Sequence, residues 1–378
     1  MRRKWVLRQV KAYLYTVLGL LFVSIGSAED MGQNKMSPQH RILLKDIDNV
    51  TFGPEFAFSI DEFVNFPEMR PKVIARYADL VNERAGIGDF RIRKQNRFKV
   101  QSLESFRPIL EFDTWSLQVD TDPGVIEVQT SPGTYEDFLS RSPLLQTYLF
   151  DLMNEAGVRP QEYRGGGHIH IGPQAFRRDP RLLRDFIVDY YNHGGLAEGG
   201  LNFDKQNSGS AAFYSNDAKV KLRGIIDRFD SGKIVLFEDL YNELKTLGKA
   251  SIRYNDQFKT VEIRAIRPQQ SMNDFVKLVK LFRARMRHLS KNKALIELDD
   301  LEPTKTSIQA LEEFYRYVTA AGLKWDDYRH FVLPHWQNSG ADLDVFEERL
   351  FAGKLQTKPA KGKCLQDLMR LVLNSFNR

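Results

Sequence analysis

The chain has 378 residues, a formal charge of +6 and 42% apolar residues, enough to bury a sizeable core as one large domain or two. Of that charge, +5 lies in residues 1–28, which hold no acid, so the remainder is near +1 and the pI of about 9.1 does not mark a nucleic-acid-binding surface. The single Cys364 excludes an intramolecular disulfide and a cysteine-built zinc cluster.

In chain order, Arg2, Arg3, Lys4, Arg8 and Lys11 precede an apolar run from Ala12 to Ile25 and the small residues Gly26-Ser27-Ala28. That order reads as a secretory signal peptide cleaved after Ala28, because the apolar run falls short of the ~20 residues a bilayer span takes. The expected location is periplasmic or secreted, without stable membrane insertion; an uncleaved segment would instead anchor the chain. Residues 29–45 are polar and read as a flexible lead-in. A strand is expected over Thr51–Ser59, with Phe56 and Phe58 on one face and Glu55, Ala57 and Ser59 on the other. A helix over Arg70–Arg84 stops at Ala-Gly. Trp115–Val119 and Val125–Thr130 then form a hairpin across Asp120-Thr-Asp-Pro-Gly124.

Helices follow at Pro143–Ala156 and Arg181–His193, with Gly165–Gly172 between them and an Asn-, Ser- and Gly-rich loop at Asn202–Asn216. Further helices are expected at Ile234–Leu247, Asn273–His288, Ser307–Ala321 and Leu365–Phe376, with a last strand at Val261–Ile266. Gly353–Lys363 reads as an exposed loop, and the basic stretch at Arg283–His288 as a solvated helix face. Strands and helices mix without a βαβ repeat, so the expected class is α+β.

Three strand-like segments hold chemistry. In Val125-Ile-Glu-Val-Gln-Thr130, Val125, Glu127 and Gln129 share a face, and a carboxylate among β-branched neighbours needs a partner or a metal unless it lies on a solvated edge. In Gly165-Gly-Gly-His-Ile-His-Ile-Gly172, His168 and His170 share a face after three glycines that permit close backbone approach to a phosphate. Two such imidazoles coordinate metal, or simply hydrogen-bond within a sheet. In Thr260–Arg267, Glu262 and Arg264 share a face, as a salt bridge or as a metal carboxylate beside a guanidinium that clamps an oxyanion. With Glu55, these positions make an oxygen-rich site with imidazole, suited to Mg²⁺ or Mn²⁺ and to nucleotide phosphates. The phosphate loop Gly-x-x-x-x-Gly-Lys-Ser/Thr and the Gly-x-Ser-x-Gly elbow are both missing.

Asp122-Pro-Gly-Val-Ile-Glu-Val128, Gly165-Gly-Gly-His168, Arg178–Asp185 and Tyr190-Tyr-Asn-His193 resemble the amidoligase domain that accompanies transglutaminase-like domains in large bacterial proteins. The good match spans about Leu117 to Gly200. More loosely, Thr51 to Gln270 resembles the glutamine-synthetase-like carboxylate–amine ligase superfamily. That resemblance implies a curved antiparallel sheet with helices packed on one side and ATP-dependent amide formation through an acyl phosphate. It implies metal ligation by Glu55, Glu127, His168 and Glu262, catalytic roles for His168, His170 and Arg264, and nucleotide contacts from Arg264, Arg267 and Gly165, Gly166 and Gly167. The implied organisation is a catalytic domain over 46–290 and a helical extension over 291–378. The substrates would be a carboxylate and an amine, small or peptidic, with cell-wall peptide among them; nucleic acid is not expected. The second acid of the family's first strand is Ala57 here, with Asp61 or Asp120 as substitutes. An exported protein meets essentially no ATP, which favours two other readings of the same fold: a metal-dependent amide hydrolase or transpeptidase, and a non-catalytic binder of peptide or cell-wall fragments.

Overall fold

The computed structural model describes residues 37–86, 109–112, 115–161, 165–193, 216–247, 252–255, 259–299 and 307–331. The alternation read at Glu55–Ser59 is built as strand β1 (Phe52–Phe58), and its apolar side is the floor of the core. The hairpin forms as β3 (Ser116–Asp122) and β4 (Val125–Thr130), the His-x-His segment as β5 (His168–Ile171), and the Glu-x-Arg segment as β7 (Thr260–Ile263). Two short edge strands, β2 (Ile109–Glu111) and β6 (Ile252–Asn255), complete one sheet in the order β2-β3-β4-β1-β5-β7-β6. Every pairing in it is antiparallel.

Register decides which residues meet, because side chains alternate between the two faces of a sheet. Phe56 lies across from Val128, Phe58 from Ile126, Pro54 from Ile169 and Phe52 from Ile171, and Ile169 from Ile263. These residues make one apolar face, each large side chain contributing about 1.5–3 kcal/mol of burial. Helices cover it. Phe56 meets Phe150 and Phe275 edge-on, both at 5.3 Å between ring centres, and Phe275 meets Phe138 at 4.8 Å. Phe138 belongs to α3 (Tyr135–Leu145), which follows α1 (Pro38–Asp48) and α2 (Met69–Gly86); after it come α4 (Pro180–Asn192), α5 (Asn216–Asp230), α6 (Phe237–Lys245), α7 (Met272–Leu289, carrying Phe275) and α8 (Ser307–Ala320). The architecture is α+β, an antiparallel sheet with helices against its apolar face, as expected.

Several boundaries differ from the sequence reading. The stretch from residue 38 is a helix rather than a flexible lead-in: Ser37 accepts from the His40 amide, Pro38 opens the first turn, and Leu43 and Ile47 are buried. The helix expected from Pro143 begins at Tyr135, where Thr134 and Asp137 form a capping box. Pro143 lies inside it, and the chain then widens into a π-helical segment, Gln146–Asp151. The last strand ends at Ile263, three residues early. Helix α5 and strands β2 and β6 had no counterpart in the sequence reading. The first compact unit runs through Lys324 rather than closing near residue 290. Arg285 of α7 donates both to Asp189 of α4 and to the Tyr317 carbonyl of α8, so α8 is held into this unit. The second unit, 325–378, is described only over two short 3₁₀ turns, Trp325–Asp327 and Arg329–Phe331. The signal segment, Gly353–Lys363, Cys364, the helix expected at Leu365–Phe376 and all of the 202–216 loop before Asn216 lie outside the described residues. Among the described residues no helix is long and apolar enough to cross a membrane.

Candidate active site

The other face of the sheet is polar where β4, β1, β5 and β7 adjoin. In register, Glu55 sits between Gln129 and His168, Ala57 beside Glu127, and His170 between Gly53 and Glu262. Four sequence segments therefore deliver Glu55, Glu127, His168, His170, Glu262 and Arg264 to one surface, all of them side chains singled out by period-two reading.

Glu55 is the hub. One of its oxygens accepts from or shares a proton with His168 Nδ1 at 2.9 Å, and the other lies 2.9 Å from His170 Nε2. His168 Nδ1 is also 3.6 Å from Glu262. Arg264 donates to Glu262, which is buried, and orients that carboxylate. Burial by itself would raise the Glu55 carboxyl, but the hydrogen bonds and charge of His168 and His170 hold it well below the usual carboxylate range. Glu127 goes the opposite way. Burial first, then the neighbouring Glu55 carboxylate, and then Asp122 and Asp120 push it up to about 9. A carboxyl kept protonated beside a carboxylate is the signature of a site short of positive charge.

That shortage is what a cation would relieve. Ligand atoms of Glu55, His170 and Glu262 lie within 4.8 Å of one another, and so do those of Glu55, Glu127 and His168. Both groups offer oxygen and imidazole nitrogen, a donor set that fits Mg²⁺ or Mn²⁺, and Glu55 belongs to both. His170 turns its Nδ1 to the Thr260 hydroxyl at 2.8 Å, which fixes the ring with Nε2 toward the cluster. Gln129 donates to Glu55 at 3.3 Å. Thr260 and Gln129 were not assigned to the site from the sequence, although each lies two residues from an assigned glutamate on its own strand face.

The three glycines pack against the protein itself. A Cβ at Gly165, which has φ +73°, would lie 2.7 Å from the Ala57 Cβ; at Gly166, 2.3 Å from the His168 ring; at Gly167, 2.1 Å from the Gln269 amide. Gly165 lies close over Ala57, so the two positions share little space. Neither Asp61 nor Asp120 belongs to the groups close enough to share an ion among the described residues. Asp120 lies across from Glu127 on β3, and Asp61 opens the 3₁₀ turn after β1. Arg267 is buried next to the Gly167 segment, its carbonyl 2.5 Å from where a Gly167 Cβ would lie. The Arg178–Asp185 and Tyr190–His193 segments serve the helical layer: Arg178 pairs with Asp46 at 2.9 Å, Asp179 caps α4, and Tyr190 and Tyr191 are buried.

No family model matches the chain, and no curated protein matches it. Solved structures similar to it are glutamine-synthetase-like. They include GmaS without ligand (11% identity, TM-score 0.40, 82% of this chain and 76% of that one) and a GmaS complex with ADP (11%, 0.38, the same coverages). A third, a novel glutamine synthase homolog, has 11% identity and a TM-score of 0.39 over 82% of this chain and 74% of that one. Likeness at this level carries no argument about chemistry, which rests on the residues above.

Proposed function

We propose that this polar face is the active centre of an ATP- and Mg²⁺- (or Mn²⁺-) dependent carboxylate–amine ligase. The observation that carries the reading is the convergence of Glu127, Glu262, His168 and His170 around Glu55, with Arg264 against Glu262. In the reaction a substrate carboxylate takes the γ-phosphoryl group of ATP and ADP leaves. An amine then attacks the acyl carbon, phosphate departs, and the nitrogen sheds a proton to give the amide. Bound divalent cations supply charge neutralisation for the phosphates.

The chain's own groups do the rest. Glu55, Glu127, His168 and Glu262 would hold the cations, with Glu127 as a carboxylate in that state. His168 and His170 supply nitrogen donors beside Glu55, and the proton the amine loses passes to solvent. Arg264 orients Glu262 and presents a guanidinium to the transferring phosphoryl group, with Arg267 as a further oxyanion contact. Purified full-length protein incubated with Mg-ATP, a carboxylate and an amine should release phosphate only when both substrates are present, and Glu262→Gln should abolish it. Undiminished turnover in Glu262→Gln would remove the assigned role.

The basic, apolar and small-residue order of residues 2–28 favours a second reading, export of the protein and use of the same donors as a metal-dependent amide hydrolase. Peptide-amide cleavage without nucleotide, lost on chelation, would identify it.

A further inference from the structure

The pairing of β5 with β7 ends at Ile169 and Ile263. Arg264 is the next residue after β7 and Arg267 follows it, so both guanidiniums leave from a segment that the ladder no longer holds. Contacts from the glycine turn ahead of His168 close that gap. The Gly167 amide donates to the Ile266 carbonyl at 2.8 Å. Gln269 then reaches back, its Nε2 donating to the Gly167 carbonyl and to the Arg267 carbonyl, both at 3.0 Å.

Gln269 is only 3% exposed, and its amide stands 2.1 Å from where a Cβ at Gly167 would lie. The third glycine of the run therefore makes room for this side chain. The partners fix which way the amide points. Turned over, it would set Oε1 against two carbonyl oxygens; as it stands both Nε2 protons are used, and Oε1 accepts from no group among the described residues. A methionine would fill a similar volume without burying that oxygen, so packing alone does not call for glutamine, whereas the two donations do. The side chain also has a firm base. The Gln270 amide donates to Asp274 at 3.1 Å, and Ser271 caps α7 by accepting from the Asp274 amide at 3.2 Å. We propose that Gln269 is a positioning residue: it locks the segment after β7 to the glycine turn and so fixes where Arg264 and Arg267 stand relative to His168. That these guanidiniums meet phosphate rests on the ligase reading; that Gln269 holds them does not.

NMR of the full-length protein with isotope-labelled arginine tests this through the guanidinium Nε–H signals, Arg264 and Arg267 being assigned from Arg264→Lys and Arg267→Lys. Arg285, fixed by Asp189 in the helical layer, is the internal reference. In Gln269→Met the Arg264 and Arg267 signals should shift and broaden while Arg285 keeps its place. Gln269→Glu, whose carboxylate cannot donate to either carbonyl, should do the same and covers a Gln269→Met that fails to fold. Unchanged Arg264 and Arg267 signals, or an Arg285 signal displaced as far as theirs, overturns the proposal. Mg-ATP affinity should fall about tenfold in either variant. Displaced arginines in a protein whose parent binds no Mg-ATP would keep the positioning role and remove the ligase reading; parental Mg-ATP affinity in the variants would keep the ligase and overturn the positioning role.

Discussion

Among the described residues, a cluster of ionisable groups in the helical layer and one on the polar face of the sheet are built on opposite principles. In the helical layer Arg184 pairs with Asp185 at 2.9 Å and Asp230 at 2.6 Å, Arg285 grips Asp189 through two nitrogens, and Arg181 lies 3.5 Å from Asp185. Three guanidiniums meet three carboxylates, and the charges close. On the polar face, among the described side chains, Glu55, Glu127 and Glu262 gather with Arg264 and two imidazoles, and burial beside Glu55 pushes Glu127 up to about 9. The balanced cluster joins helices. The other cluster gathers more carboxylates than described cations, and on the proposed reading a bound divalent cation would supply the missing charge.

The comparison can be broken at its balanced end first. Asp189→Ala leaves the buried Arg285 without its carboxylate and should cost about 3–5 kcal/mol, read by urea unfolding. A cost below about 1 kcal/mol would mean the pair is not the tie between α4 and α7.

At the unbalanced end the signature is pH. Glu127 is raised from 4.5 to about 9, so between those values the folded state holds a proton that the unfolded chain releases. Cation-free protein should therefore lose stability as pH rises from about 4.5 to about 9. Glu55 is lowered and acts with the opposite sign: its contribution is present above 4.5 and is lost as acid protonates it. Glu127→Gln should stabilise the cation-free protein at pH 8 by on the order of 2 kcal/mol and flatten the alkaline decline. Thermal melts across pH, with and without chelator, check this; an unchanged slope in the variant would place the deficit elsewhere.

A smaller effect concerns the position where an acid is missing. Ala57→Glu pushes a side chain into Gly165 and adds charge beside Glu127, so it should destabilise by about 1–3 kcal/mol without tightening Mg²⁺ binding. Tighter binding by calorimetry would show that a fourth carboxylate can be accommodated.

Much of the site was legible because strands impose a period of two. Glu55, Glu127, His168, His170, Glu262 and Arg264 each had a correct face from local alternation alone. What alternation does not contain is strand order. That β1 lies between β4 and β5, which makes Glu55 common to both candidate ion groups, follows from pairings between segments as far apart as residues 55 and 168. The edge strand Ile252–Asn255 alternates apolar and polar but holds four residues, and β2 has three, too few to announce themselves. Helix α5 hides behind a polar lead and a narrow stripe, Leu222, Ile225 and Ile226, interrupted by Gly224. The start of α3 was misplaced because Pro143 looks like a first-turn proline, whereas the capping residues stand at Thr134 and Asp137.

The central claim is that the unbalanced cluster binds a divalent cation together with nucleotide. Thermal unfolding of the full-length protein with and without Mg-ATP, beside Glu262→Gln, tests it directly. A ligand at 100 times its dissociation constant adds about 2.7 kcal/mol, several degrees of midpoint at this size. The account predicts that shift in the parent and its loss in Glu262→Gln; no shift at millimolar Mg-ATP, or an equal shift in the variant, would contradict it.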